Sequence, residues 1–177
     1  MMKKWVLCCM FMGVFFVHAE KPKDWKEPKY IKSIISFREK KADLPIGLGH
    51  CVAYCESRFK PNARSRVVRG YRSDGLFQIY RKYMYDSTTY EGLIHKFTDM
   101  PEKEFKWDNP DHSAELGCNY LAWLIEYWHG SVYLGVLSYT YGFENLRNIK
   151  SLEDVPKECK DYTEQVLFLL DNYQETW

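Results

Sequence analysis

The chain has 177 residues, of which 46% are hydrophobic and 17% aromatic. This length and composition predict one ordered globular domain with short additions, and they argue against a disordered or low-complexity protein. The formal net charge of +1 gives no support to nucleic-acid binding or to attraction by an anionic membrane surface.

Residues 1–19 have the three parts of a secretory signal peptide. Lys3 and Lys4 form a basic start, Trp5 to Val17 is an uninterrupted apolar run, and Ala19 offers a small residue for cleavage. The apolar run has 13 residues, whereas a helix that spans a bilayer needs roughly 20. We therefore expect export to the periplasm or the extracellular side of the cell envelope, with no membrane span after cleavage.

A charged segment follows the signal. Residues 20–29 contain Pro22 and Pro28 and show no hydrophobic periodicity, which is typical of a tether. The folded domain is therefore expected to occupy residues 30–177.

Hydrophobic residues recur at helical spacing through most of this domain. Helices are predicted at Ile31–Arg38, Leu44–Phe59, Asn109–Gly130, Tyr133–Tyr141 and from Pro156 onward. The third begins with Asn109 as its cap and Pro110 in the first helical position. Apart from a short hairpin near Arg64–Gln78, no segment indicates strands, so the predicted fold class is mainly α.

Removal of the signal leaves Cys51, Cys55, Cys118 and Cys159. In an exported protein an even number of cysteines permits disulfides. Cys51 and Cys55 lie one turn apart on a predicted helix and should face the same way. Disulfides and buried free thiols are equally compatible with the sequence.

Glu56 falls at the edge of the apolar stripe on the second predicted helix, which consists of Leu48, Cys51, Val52, Cys55 and Phe59. An apolar neighbourhood raises the pKa of a carboxyl and suits it to act as a general acid. The alternative is a carboxylate at a helix end, paired with Arg58 or Lys60.

Five segments, in order along the chain, resemble the motifs of soluble lytic transglycosylase catalytic domains. They are Glu56–Ala63, Gly75–Ile79, Leu116–Leu121, Leu137–Gly142, and a C-terminal set of Pro156, Glu158, Tyr162, Val166 and Leu167. The resemblance covers Tyr30 to Tyr173 and implies a lysozyme-like helical domain with a groove that binds peptidoglycan strands.

The resemblance also implies roles for single residues. Glu56 would be the one catalytic acid and base, and Ser57 and Gln78 would line the groove near the sugar N-acetyl group. Tyr139 would hydrogen-bond near Glu56, and Glu158 would contribute to saccharide binding. A second carboxylate remains possible at Asp74, Asp86, Asp108 or Glu144.

Lytic transglycosylases cut between N-acetylmuramoyl and N-acetylglucosamine residues and leave 1,6-anhydromuramoyl ends, and the resemblance implies this reaction. A lysozyme-type hydrolase that uses water and an inactive wall-binding module remain alternatives. Because the histidines show no ligand spacing and no Gly-rich phosphate loop occurs, neither a metal nor a cofactor is expected. Several residues depart from the family pattern: Arg72–Ser73, Phe77, Ser113 and Thr140–Tyr141. Taken together, the departures are expected to add bulk beside the groove.

Overall fold

A computed structural model of the protein describes residues 21–67, 70–80 and 93–174, so the expected signal peptide and Asp86 lie outside it. Its helices are α1 (Lys29–Lys41), α2 (Leu48–Ser57), α3 (Leu93–Phe97), α4 (Pro110–Tyr127), α5 (Val132–Tyr141), α6 (Phe143–Arg147) and α7 (Lys157–Asp171). Two 3-10 turns lie at Glu102–Glu104 and Leu152–Asp154. The predicted mainly helical class is confirmed. None of the helices in these ranges is long and apolar enough to cross a bilayer.

Helix α2 lies at the centre of the fold. Eight of its ten residues are buried, because α1, α4 and α7 all pack around it. A helix enclosed in this way is buried on nearly every side, so the single stripe predicted for it is too narrow. The half-buried positions are Cys55 and Glu56, near its C-terminal end.

Helix α4 begins as its sequence predicts. The Asn109 side chain accepts a hydrogen bond of 2.9 Å from the backbone N–H of Asp111, and Pro110 is the first helical residue. Arg38 of α1 donates two hydrogen bonds to Asp111, of 2.8 and 2.7 Å, and one of 2.7 Å to Glu115. Because this fork holds two carboxylates, it fixes the orientation of α1 on α4.

The described part of the segment predicted as a tether packs against the helical core instead. Trp25 is 3% exposed, and its ring stacks on Tyr54 at 4.6 Å between centroids and meets Phe59 at 5.0 Å. Tyr54 in turn donates a hydrogen bond to Asp24. One large aromatic ring anchors this non-helical segment, and such an anchor leaves no periodic pattern in the sequence.

A short antiparallel hairpin, β1 (Ser73–Asp74) with β2 (Ile79–Tyr80), lies in the predicted region. Its turn requires Gly75, because φ is 80° there and a Cβ would lie 2.5 Å from a carbonyl oxygen of the neighbouring loop. Phe77 is fully buried and packs so closely on α4 that a Cβ at Gly117 would come within 2.3 Å of its ring. The bulk of Phe77 therefore fills the core and does not add to the groove, contrary to the expectation.

All four cysteines of the domain are free thiols, so of the two possibilities, disulfides and free thiols, the structure agrees with free thiols. Cys51 and Cys118 are buried, whereas Cys55 and Cys159 are half-buried. Burial raises the pKa of the Cys55 thiol to about 12, which makes it a poor nucleophile at neutral pH.

Candidate active site

A groove of about 330 Å³ opens at the C-terminal end of α2. The hairpin forms one wall, and the end of α5 forms another. The lining residues are Glu56, Ser73, Gln78, Ile79, Tyr80, Tyr120, Tyr139, Thr140, Tyr141 and Gly142. Aromatic and polar side chains thus surround one acidic group.

Glu56 is the only carboxylate among the described residues that line this groove. Burial raises its pKa to about 7, against the opposing effect of the Tyr162 hydroxyl, which donates a hydrogen bond of 2.6 Å to Oε1. The position of Glu56 at the edge of the apolar stripe predicted a raised pKa, and this prediction is confirmed. A carboxyl group with a pKa near neutrality is able to give up a proton and take one back in a single catalytic cycle.

The ion pair considered as the alternative for Glu56 is not formed within the described ranges. After α2 the chain turns sharply through two left-handed residues, Arg58 with φ 53° and Phe59 with φ 60°. The Arg58 guanidinium lies on the other side of the turn, with Nε 3.2 Å from Asp24 and its centre 4.1 Å from the Tyr54 ring. Since no cation among the described residues contributes to the pKa of Glu56, no positive charge in these ranges opposes the effect of burial.

Two tyrosines, Tyr139 and Tyr162, flank the carboxyl group of Glu56. The Tyr139 hydroxyl donates to the backbone carbonyl of Phe77, while Tyr162 of α7 donates to Glu56. Tyr139 still lines the groove, and burial together with the nearby carboxylate of Glu56 raises its pKa well above the usual value. The sequence placed Tyr162 on a helical stripe and in the C-terminal motif, but neither observation identifies the residue that the tyrosine contacts.

Gln78 is held rigidly in the groove wall. Its backbone φ is 45°, and its amide nitrogen donates to the carbonyl oxygens of Ala63 at 3.0 Å and Gly75 at 2.9 Å. Because carbonyl oxygens only accept, the NH₂ group must face them, which fixes the orientation of the amide. The amide oxygen therefore remains available to accept a hydrogen bond from a ligand.

Ser57 and Glu158 are not brought to the groove. Ser57 is buried, and its hydroxyl donates to the carbonyl oxygen of Ala53 at 3.1 Å. Glu158 is exposed in the first turn of α7. The structure thus assembles Glu56, Gln78 and Tyr139 in one groove, and the saccharide contacts of Ser57 and Glu158 stay predictions.

None of the other described carboxylates considered as partners for Glu56 lines the groove. Asp74 is buried in ion pairs with two arginines of its own loop. Asp108 borders a separate cavity on the other side of the hairpin, and Glu144 is exposed and paired with an arginine of α6. Within the described ranges, the groove therefore has the chemistry of a single acid.

Comparison with protein families gives one match. The family model described as the transglycosylase SLT domain matches residues 33–160. The matched range begins inside α1, contains α2, the hairpin and α5, and ends inside α7. It therefore includes Glu56, Gln78 and Tyr139 but stops before Tyr162. No curated protein matches the chain.

Proposed function

The chain belongs to the transglycosylase SLT domain family, whose activity is directed at peptidoglycan, and on that premise we propose that it is a lytic transglycosylase. It cleaves the bond between N-acetylmuramoyl and N-acetylglucosamine and leaves a 1,6-anhydromuramoyl end. The observation that carries this proposal is Glu56, a single groove carboxyl whose pKa burial raises to about 7.

In the first step, the protonated carboxyl of Glu56 gives its proton to the glycosidic oxygen. The bond from that oxygen to C1 of the muramoyl residue breaks, and the carbonyl oxygen of its own N-acetyl group binds C1. This substrate assistance replaces the second carboxylate that most glycosidases use. The amide oxygen of Gln78 is available to accept the N–H of that N-acetyl group and so to orient it.

In the second step, Glu56 acts as a base. Its carboxylate accepts the proton of the muramoyl C6 hydroxyl, whose oxygen attacks C1 and displaces the N-acetyl carbonyl. The 1,6-anhydro ring closes, no water is consumed, and Glu56 is again protonated. The Tyr162 hydroxyl stabilises the carboxylate between the two steps, because a hydrogen bond to an ion is stronger than one to a neutral acid.

The test is product analysis by mass spectrometry after purified residues 20–177 have digested peptidoglycan. We expect anhydromuramoyl ends, whereas reducing ends alone would show that water attacks and that the enzyme is a hydrolase.

The matched variant is Glu56→Gln, which keeps the shape of the side chain but cannot donate a proton. We expect its rate to fall by about 10²–10⁴-fold while the strands still bind. Glu164→Gln, which removes an exposed carboxylate from α7, serves as the control and should cleave normally. Cleavage that survives Glu56→Gln would contradict the proposed acid.

Action on peptidoglycan requires the protein to reach the outer side of the cytoplasmic membrane, so we also propose that residues 1–19 direct export. The test is N-terminal sequencing of the protein recovered from the cell envelope or the medium. A mature start at Glu20 is expected, and retention of the protein inside the cell would contradict export.

A further inference from the structure

Lys96 of α3 carries a positive charge that no carboxylate in the described ranges neutralises. Its Nζ lies 3.9 Å from the centre of the Trp123 ring and 5.1 Å from that of Phe97. Partial burial lowers the pKa of the ammonium group, and no charge among the described residues opposes that effect. A partly desolvated cation without a counter-ion provides a favourable position for an anionic group of a ligand.

The ring beneath Lys96 belongs to an aromatic strip that begins in the groove. Tyr120, which lines the groove, lies almost parallel to Trp123, with 6.1 Å between ring centroids. Tyr127, 40% exposed, continues the strip 6.0 Å beyond Trp123. Because these positions are three and four residues apart on α4, they share one face of the helix. Lys96 therefore lies over the ring that follows Tyr120, next to the groove.

Helix α3 is fixed on α4, so Lys96 is positioned before any ligand arrives. The Asn119 side-chain nitrogen donates a hydrogen bond of 2.7 Å to the carbonyl oxygen of Phe97. The buried Phe97 ring meets Tyr120 at 5.4 Å and Trp123 at 5.7 Å. A preorganised cation loses little conformational freedom when it binds an anion, which favours recognition.

We propose that Lys96, Trp123 and Tyr127 form a second subsite, next to the cleavage groove, that binds a carboxylate of the peptidoglycan strand while neighbouring sugars lie along the aromatic strip. The identity of the strand rests on the proposed function. The carboxylate has two possible sources, the stem peptide or the lactyl group that is exposed where the peptide has been removed. Both would form the same ion pair with the Lys96 ammonium.

The experiment measures binding by calorimetry with the full mature chain carrying Glu56→Gln, so that no strand is cut. Three ligands of equal sugar number are compared: a glycan with stem peptides, the same glycan without peptides, and a neutral N-acetylglucosamine oligomer. We expect Lys96→Gln to weaken binding of a carboxylate-bearing ligand about three- to fivefold and to leave the neutral oligomer unchanged. The glycan that loses affinity identifies the source of the carboxylate.

Two further variants separate a local ion pair from other effects. Lys96→Arg keeps the charge and should retain the affinity, and Lys103→Gln removes an exposed lysine from the next turn with the same change in net charge and should have no effect. Raising the salt concentration to about 1 M should abolish the advantage of the charged ligand, since exposed charges are then screened within about 3 Å. Equal losses for all three ligands, or no loss with Lys96→Gln, would overturn the subsite.

The two proposals fail in different ways. If the parent enzyme forms anhydromuramoyl ends but Lys96→Gln binds every ligand normally, the subsite is wrong and the proposed function stands. If the parent enzyme leaves strands uncut but the carboxylate-dependent difference is present, the reaction is wrong and the subsite stands.

Discussion

Two glutamate carboxylates lie at opposite ends of α2, and the protein holds them in different ways. Glu39, which comes from α1, accepts hydrogen bonds from three backbone N–H groups at the N-terminal end of α2. Glu56, at the C-terminal end, accepts a hydrogen bond from Tyr162. The helix dipole favours a negative charge at the first position and opposes it at the second. One residue type therefore caps a helix at one end and is available as an acid at the other.

The comparison also separates burial from reactivity. Burial raises the pKa of Glu39 as it does that of Glu56, and His50 and the backbone N–H groups reduce this rise without cancelling it. His50 lies 2.6 Å from Glu27 through Nδ1 and 3.5 Å from Glu39 through Nε2, so charged and polar groups surround that carboxylate. Among the described residues, Glu56 has one neutral donor, the Tyr162 hydroxyl. The number of partners around each buried carboxylate, more than burial itself, distinguishes Glu39, at the start of α2, from Glu56, the proposed acid.

The largest expected effect comes from removing the structural carboxylate. Glu39→Ala leaves three backbone N–H groups at the start of α2 without their acceptor and removes the carboxylate 3.5 Å from His50 Nε2, so we expect the free energy of unfolding to fall by about 3–5 kcal/mol. Urea denaturation at neutral pH measures this loss. Glu39→Gln, which keeps one acceptor oxygen, should cost less than Glu39→Ala. A loss below about 1 kcal/mol for the alanine variant would show that Glu39 does not hold α2.

Replacement of Glu56 should change the free energy of unfolding in the opposite direction. The pKa of Glu56 rises from 4.5 to about 7 on folding, so the folded state disfavours its charge. The stability contribution of the protonated group is complete below the unfolded value and is lost as the pH rises through 7. Because glutamine stays neutral, Glu56→Gln should stabilise the protein by up to about 3 kcal/mol near pH 8 and leave it unchanged near pH 4. Urea denaturation at both pH values measures this difference, and destabilisation at both would contradict it.

A smaller effect is expected from Tyr162, which donates a hydrogen bond to Glu56. The Tyr162 hydroxyl lowers the pKa of Glu56, so Tyr162→Phe should raise that pKa and move the alkaline limb of the kcat/KM profile to higher pH by up to about one unit. Loss of the donor to the carboxylate should also slow turnover by about tenfold. Tyr141→Phe, another tyrosine of the groove, provides the control for a lost hydroxyl. A limb that stays in place or moves to lower pH would show that Tyr162 does not set the acidity of Glu56.

The smallest effect should come from Ser36, at the edge of the polar group that Glu39 forms with His50 and Glu27. The Ser36 hydroxyl lies 3.0 Å from Nε2 of His50, but Ser36 is exposed and water replaces its hydroxyl. Ser36→Ala should therefore cost less than about 1 kcal/mol of stability and leave cleavage unchanged. Thermal unfolding checks the first expectation, and a large loss would mean that His50 depends on Ser36 as much as on its carboxylates.

The sequence predicted the five longer helices because the signals for them are local, whereas the five-residue helices α3 and α6 were not predicted. Asn109 and Pro110 mark the start of α4, and the sequence locates both bounds of α5 and the start of α7 within one residue of the observed positions. Helical phase also placed Glu56 at the rim of the core, although it underestimated how completely α2 is enclosed. These features depend on neighbours within a few turns along the chain.

Contacts between distant segments could not be predicted in the same way. Glu39 lies between Arg38 and Lys40, a pattern typical of a solvated helix face, and only the approach of α2 buries it. Tyr162 and Glu56 are 106 residues apart, and the apolar stripe on α7 does not indicate which helix packs against it. Trp25 anchors an extended segment alone, so no repeating pattern indicates its burial.

The position of Tyr162 bears on how this protein should be cut or transplanted. The family match ends at residue 160, inside α7 and two residues before the tyrosine that contacts the acid. A recombinant fragment or a chimera built to the matched boundaries would retain Glu56 and most of the groove wall. It would lack the Tyr162 hydroxyl, which donates a hydrogen bond to the Glu56 carboxylate. If such a fragment were inactive, the loss would be wrongly attributed to a missing region outside the catalytic domain. The smallest unit worth expressing therefore continues through the end of α7.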